Sequence, residues 1–310
     1  MENKKIAIIM DALETVNIEK DTTFALALEA QSQKSRLWFV SIDDLMVRET
    51  TPYCFAREIQ FQRKYPCYQW LNLQETINLD EFDIILIRKD PPFDEKYFFA
   101  THILEQCKKA KVVNNPTALR NAPEKIYSLN FPETIPPTII TSDANEIHNF
   151  MNQNGGEIIL KPLNKCGGSG IIYMHQQDKN FYSMVDVLTQ EGNEYIMAQR
   201  YLPEIRQGDK RVICVNGKAY GAILRIPNEM DHRGNIHVGG QVVISELTSR
   251  DKWLVDQISE NLQKDGLFFV GLDIIGDYIT EINVTSPTGI QEILEFGGAD
   301  IAKIFWDELK

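Results

Sequence analysis

A mixed α/β (α+β) fold with more than one domain is what the order of elements in this 310-residue chain predicts. Three observations support it. Over roughly the first 120 residues, short β-branched runs alternate with helical spacing, the order that builds an open parallel sheet. After a proline-rich connector, the chain alternates strands with polar loops and a few helices. The length exceeds what one ordinary hydrophobic core serves, so two or three domains are expected.

The run KKIAIIM (4–10) reads as a buried strand, and RLWFVSI (36–42) as a second. Between them TTFALALEAQSQ (22–33) places Phe24, Leu26, Ala27, Leu28 and Ala30 at helical spacing. FDIILIRKDPPFD (82–94) gives a strand stopped by prolines, YFFATHILEQCKKA a helix and KVVNNP a short strand. Ligands of such units bind beyond the carboxyl ends of the strands, where Asp11, Arg88, Lys89 and Asp90 fall. No G-x-G-x-x-G follows the first strand, which argues against a dinucleotide-binding domain. Pro123, Pro132, Pro136 and Pro137 mark the connector at 121–141. A helix at 143–153, a turn at Asn154-Gly155-Gly156, the strand EIILKPL and the loop NKCGGSG follow. Next come the strand IIYM, a helix near 180–190 and the segment YIMAQRYLP. GDKRVICVNGK (208–218) reads as a hairpin closed by Asn216-Gly217, and AILRIP as the next strand. Residues 227–241 have little apolar content and three glycines, the composition of a lid loop. Helices at 250–264 and 298–309 close the chain.

Composition narrows the function. A net charge of −12 disfavours a general role on nucleic acid, where clustered Lys and Arg supply the affinity. No apolar run reaches the roughly 18 residues that a membrane span needs. The N-terminal run meets Asp11 too soon for a signal peptide, so a cytoplasmic location is expected. The five cysteines are scattered without a C-x-x-C pair, as expected of reduced thiols and not of a zinc site.

Several residues invite chemistry. Lys161 ends a strand six residues before Gly167-Gly168-Ser169-Gly170. A glycine-rich backbone approaches polyphosphate closely and offers its N–H groups. Asp209 and Arg211 share one strand, and Arg225 ends the next. Two arginines beside carboxylates suit phosphoryl transfer, because they neutralise developing charge. Surface ion pairs would leave the same pattern. Gln199 to Leu202 lie where a hinge backbone could face an adenine edge, or where a strand merely ends.

The sharpest signal is TEINVTSPT (280–288), downstream of FFVGLDIIGDY. The two runs read as a hairpin. A three-residue turn, 276–278, would pair Asp273 with Glu281 and gather Leu272, Ile274, Ile282 and Val284 on one face. Asp273, Glu281 and Asn283 then share the other. Two carboxylates so close repel unless a cation sits between them. Their all-oxygen set suits Mg²⁺ or Mn²⁺, a solvated face without metal being the alternative.

Taken together and in order, RKDPPFD, PEK, IILKPL, MAQRYLP, GDKRV, FVGLDIIGD and TEINVTSPT resemble the bacterial glutathione synthetases, members of the ATP-grasp ligases. The resemblance runs over essentially the whole length. It implies an N-terminal open parallel-sheet domain (1–122), a central ATP-grasp lid domain (123–202) and a C-terminal metal-binding domain (203–310). It implies ATP-dependent joining of γ-glutamylcysteine and glycine through an acyl phosphate, in a homo-oligomer, as a tetramer, with no nucleic-acid or membrane partner. By the same resemblance Asp273, Glu281 and Asn283 hold Mg²⁺. Lys125, Lys161, Gly167, Gly168 and Asp209 serve ATP and its phosphates, and Gln199, Tyr201 and Leu202 the adenine. Arg211 and Arg225 steady the transferred groups, Arg233 in the lid shields them, and Arg88, Ser286 and Thr288 face the peptide substrate. The chain departs from the family pattern at Lys165-Cys166 before the Gly-Gly pair, and at Gln241 and Gln291, where arginine is expected. Those departures keep open a different ATP-grasp ligase, of the ribosomal-protein glutamate or D-alanine type. A non-catalytic nucleotide-binding regulator is the further alternative.

Overall fold

The computed structural model describes residues 2–227 and 241–310. Three sheets organise them. The first contains β1 (Lys5–Ile9), β2 (Arg36–Val40), β3 (Leu45–Arg48), β4 (Thr51–Phe61), β5 (Tyr68–Trp70), β6 (Glu75–Asn78), β7 (Ile84–Ile87) and β8 (Lys111–Val113). Its parallel centre runs β2-β1-β7-β8, as the strand–helix alternation predicts. Antiparallel β4 extends it beyond β2, with β3, β5 and β6 paired to β4. Sequence patterning assigned nothing to this extension. β3, β5 and β6 are short and largely half-buried or exposed, so they carry no apolar run to recognise.

Helices α1 (Thr22–Ser32), α2 (Glu95–Leu104) and α3 (Pro116–Asn121) accompany this sheet. Asp21 and Asp94 cap the first two, accepting from the Phe24 and Tyr97 amides. α2 ends before the expected 110 because the amides of Lys108, Lys109 and Ala110 turn onto Asp80 Oδ1 instead of continuing the helix.

The second sheet holds β9 (Thr138–Thr141), β10 (Glu157–Pro162), β11 (Ile172–His175) and β12 (Ile196–Arg200). They lie antiparallel in the order β11-β10-β12-β9, with α4 (Ala144–Gln153) and α5 (Phe181–Thr189) packed on it. Ile147, Met151, Ile158, Leu160 and Val185 belong to a core that is this sheet's own.

The third sheet runs β15-β14-β13-β16-β17, from β13 (Asp209–Val215), β14 (Lys218–Ile226), β15 (Gln241–Ser245), β16 (Phe269–Ile275) and β17 (Tyr278–Asn283). α6 (Ser249–Asp265), α7 (Ile290–Glu295) and α8 (Ile301–Leu309) complete the unit. The closing helix expected from 298 starts at Ile301, and α7 is a separate turn of helix before it. Gly297 and Gly298 separate the two. A Cβ at Gly298 would meet the Ile293 carbonyl oxygen at 2.8 Å, so only glycine allows that close approach.

The first and third sheets do not have separate cores. One apolar cluster joins Ile9, Val40 and Ile87 to Val212, Leu272 and Ile282. Another joins Ile6, Ile8 and Leu26 to Ile213, Phe305 and Trp306. The buried Trp306 Nε1 donates to the Leu26 carbonyl at 2.8 Å, satisfying its polar atom across the seam.

Candidate active site

The β16–β17 hairpin corrects the expected turn and keeps the expected pairing. Ile275 pairs with Tyr278 and Ile274 with Ile279, so the turn has two residues, Gly276 and Asp277. A bulge then absorbs Thr280, and Asp273 faces Glu281 after all. Thr280 Oγ1 donates to the Asp273 carbonyl at 3.2 Å, tying the bulge to the opposite strand. The consequence is local. Ile279 stays in the core, while Thr280 and Glu281 both reach the cleft between the second and third sheets.

Asp273 is buried and held by two cations. Arg211 donates from Nε to Oδ1 at 2.5 Å and from Nη2 to Oδ2 at 3.1 Å. Arg225 Nη2 lies 2.9 Å from Oδ1 and 2.6 Å from Asp209 Oδ2. Burial alone would raise the Asp273 pKa, but Arg211 and Arg225 outweigh it and hold the carboxyl well below the usual range. Asp209 goes the other way. Burial lifts it, the Arg225 charge opposing, because Arg225 is shared and Asp273 lies close by. Lys125 Nζ stands 3.2 Å from Glu281 Oε1 and also donates to the Lys165 carbonyl, which ties it to the glycine-rich loop. Lys161 Nζ donates to Gln199 Oε1 at 2.6 Å and approaches the Thr280 carbonyl at 3.5 Å. Burial lowers its pKa, with the nearby Glu281 opposing.

Two cavities meet here. The first lies between the second and third sheets and is lined by Ile159, Lys161, Tyr201, Leu202, Asp273 and Glu281, among others. Its walls are largely apolar, as an aromatic base requires. Gln199 and Asp209 also line it, although the Gln199 amide is spent on Lys161 and on Thr138 Oγ1. The second cavity is polar. Gly167, Arg211, Arg225, Asn283, Ser286 and Thr288 line it together with Asp273 and Glu281, which are common to both.

Of the sequence-predicted residues, Lys125 reaches this centre through Glu281, and Gly168 lies buried in the loop beside Gly167. Arg88 is different. It is buried behind the 284–288 loop, donating to the Pro287 carbonyl at 2.8 Å and to Thr23 Oγ1 at 3.1 Å. Arg233, and His232 and His237 beside it, lie outside the described residues. Patterning missed Glu124, Asn114 and Thr280. Glu124 carried no signal beyond its place next to Lys125, and a buried asparagine or a bulge leaves no periodic trace.

The donor chemistry fits a hard cation. Asn283 Nδ2 donates to the Gly271 carbonyl at 3.2 Å, so its Oδ1 is the atom left for a ligand. Among the described residues, Asp273 Oδ2 accepts one hydrogen bond and keeps a lone pair. Among the described residues, no group of three or more His, Cys, Asp or Glu forms a closed metal cage. Two carboxylates and an amide are instead the open set Mg²⁺ accepts when phosphates and water complete its shell.

Comparison with known proteins agrees with this geometry. The prokaryotic glutathione synthetase N-terminal domain matches residues 5–120, and the ATP-grasp domain of the same family matches residues 124–298. The chain is 44% identical over 307 residues to a glutathione synthetase of Mesorhizobium japonicum, covering 99% of this chain and 98% of that one. It is 40% identical over 311 residues to one of Shewanella oneidensis, covering 99% and 98%. Among solved structures, a D-cycloserine synthetase superposes with a TM-score of 0.70 at 14% identity, covering 98% of both chains. D-alanyl-alanine synthetase A of Vibrio cholerae gives 0.60 at 12% identity, covering 100% of this chain and 98% of that one. Likeness at that identity speaks for the ATP-grasp fold alone. With two domain models matched in order and relatives aligned end to end, the chain belongs to the prokaryotic glutathione synthetase family.

Proposed function

We propose that this chain is an ATP-dependent carbon–nitrogen ligase that joins γ-glutamylcysteine to glycine, giving glutathione, ADP and phosphate. One observation carries the reading beyond family membership. An apolar cleft suited to adenine and a polar cavity rich in arginine open onto the same two carboxylates, Asp273 and Glu281. A nucleotide lying in the first presents its γ-phosphate to an acid lying in the second.

The chemistry needs this junction. A carboxylate is a poor electrophile, so the cysteinyl carboxylate first takes the γ-phosphoryl group, and the glycine amine then displaces phosphate. Catalysis is chiefly positioning and charge neutralisation. Lys125, Lys161 and the Gly167-Gly168 backbone take the phosphates, and Tyr201 and Leu202 the base. Gln199 orients Lys161, and Asp209 holds Arg225. Arg211 and Arg225 face the acyl phosphate, Ser286 and Thr288 the peptide substrate, with Arg88 behind their loop. Arg233 is assigned to shielding by sequence alone. Asp273, Glu281 and Asn283 would hold Mg²⁺, or Mn²⁺ in its place, which when bound neutralises phosphate charge and orients the nucleotide.

The partition into 1–122, 123–202 and 203–310 is part of this proposal. The separate core of the second sheet supports it. No helix among the described residues is long and apolar enough to cross a membrane. A cytoplasmic homo-oligomer, a tetramer, is the state we propose from the family. The D-alanine-type, ribosomal-protein-glutamate-type and regulator readings share the fold. The relatives aligned at 39–44% identity over nearly the whole chain favour the glutathione reading instead.

The test is ADP release with Mg-ATP and γ-glutamylcysteine, with and without glycine, beside a panel of other acids and amines. Release that needs both substrates, with equimolar glutathione, is the expected result. Release with another pair moves the specificity, and ATP binding without release from any pair favours the regulator.

A further inference from the structure

β17 ends at Asn283, so residues 284–288 leave the ladder that holds the metal-type ligands. Their polar groups need other partners. Those partners are Arg88 and Asn114 from the N-terminal segment and Glu124 from the connector that follows it. Glu124 Oε1 accepts from the Val284 amide at 2.9 Å, the Thr285 amide at 3.1 Å and Thr285 Oγ1 at 2.9 Å. Asn114 Nδ2 donates to the Val284 carbonyl at 2.7 Å, and the same side chain brackets Phe269, donating to its carbonyl and accepting from its amide. Arg88 donates from Nη2 to the Pro287 carbonyl at 2.8 Å, while its own carbonyl accepts from Ser286 Oγ at 3.4 Å. The Glu124 carbonyl also accepts from the Ile282 amide at 3.1 Å, between the two ligand positions Glu281 and Asn283.

We infer that Arg88, Asn114 and Glu124 are positioning residues for the substrate loop 284–288. They set the place of Ser286 and Thr288 relative to Asp273 and Glu281, and so govern capture of the peptide acid and not of ATP. The inference rests on the ligase reading for which substrate the loop faces. Arg88 thereby changes role, from a substrate contact to the support beneath one. Glu124 gives the sharpest test, since one oxygen takes three donors while the adenine cleft is built from other elements. A glutamine retains that acceptor oxygen without the charge, and an alanine loses it.

The experiment compares Glu124→Ala with Glu124→Gln in the intact chain. It reads the KM for γ-glutamylcysteine at saturating ATP, and the Kd for ATP by calorimetry. Glu124→Ala is expected to raise that KM about tenfold or more, the scale of losing hydrogen bonds to a charged acceptor, and Glu124→Gln by clearly less, since its amide oxygen still accepts as a neutral group. ATP affinity should stay within about twofold in both. A glutamine variant as damaged as the alanine variant would mean that the charge itself acts, overturning a positioning role. An unchanged KM in Glu124→Ala overturns it equally. Should Glu124→Ala fail to fold, Arg88→Met, which loses the donor to the Pro287 carbonyl, is expected to raise the same KM at unchanged ATP affinity, and an unchanged KM overturns the proposal. In each case glutathione formation by the unmodified chain is read alongside, so failure of the ligase reading is seen separately.

Discussion

At the scale of single residues, the site is a balance of buried charge. Arg225 serves both Asp209 and Asp273, and all three are buried. Removing Arg225 takes the cation from Asp209, while Asp273 keeps Arg211. Arg225→Met should therefore cost roughly 3–5 kcal/mol in urea unfolding, beyond any loss of turnover. A cost below about 1 kcal/mol would mean that water reaches the two carboxylates. Glu281 is the opposite case, half-buried and, among the described residues, in an ion pair with Lys125. Glu281→Ala should keep the fold, read by circular dichroism, and lose about a hundredfold or more in ADP release. Near-normal turnover would sink the metal assignment. Cys166 lines the polar cavity beside Gly167, and its burial raises the thiol while Lys125 opposes. Alkylation of Cys166 should quicken as pH rises and slow when Mg-ATP fills the cleft. Labelling that ignores ATP would place the nucleotide elsewhere.

Elements show why part of this was readable and part was not. Pairing of Asp273 with Glu281 followed from the apolar pattern, since that register gathers Leu272, Ile274, Ile282 and Val284 on one face. The device that achieves it did not follow. A three-residue turn and a two-residue turn with a bulge give the same pairing, and periodicity alone does not distinguish them. Arg211, Arg225 and the glycine-rich loop were visible as residue types at strand ends. Glu124 and Asn114 were not, because one side chain gripping a distant backbone leaves no pattern in either segment. The second sheet adds a testable point about elements. Its core residues Ile158, Leu160 and Val185 form a cluster of their own. Ile158→Ala should cost about 2–5 kcal/mol locally. Amide exchange should then rise in β9–β12 while β13, β16 and β17 keep their protection. Equal loss of protection in both regions would show that the second sheet does not open on its own.

The whole molecule is arranged differently from what three successive segments suggest. Strand and helix periodicity tells which face is buried, but not what covers it, and here the first and third sheets cover each other. Ile213 and Phe305 lie in one cluster with Ile6, Ile8 and Leu26, and Val212 and Leu272 in another with Ile9 and Ile87. Arg88, Asn114 and Trp306 add polar bonds across the same seam. The segment with the proposed metal-binding carboxylates thus depends on the N-terminal sheet for both its core and its loop. A fragment comprising residues 123–310 retains every proposed Mg²⁺ and ATP residue, yet it leaves those apolar faces open to water and the Trp306 donor without its acceptor. Large exposed apolar faces drive aggregation or loss of fixed packing. The fragment should accordingly lack near-ultraviolet dichroism and a cooperative unfolding transition, and adding residues 1–122 as a separate chain should restore both. A fragment that unfolds sharply and binds Mg-ATP by itself would show that the shared clusters contribute little, and that the N-terminal sheet acts only on the substrate.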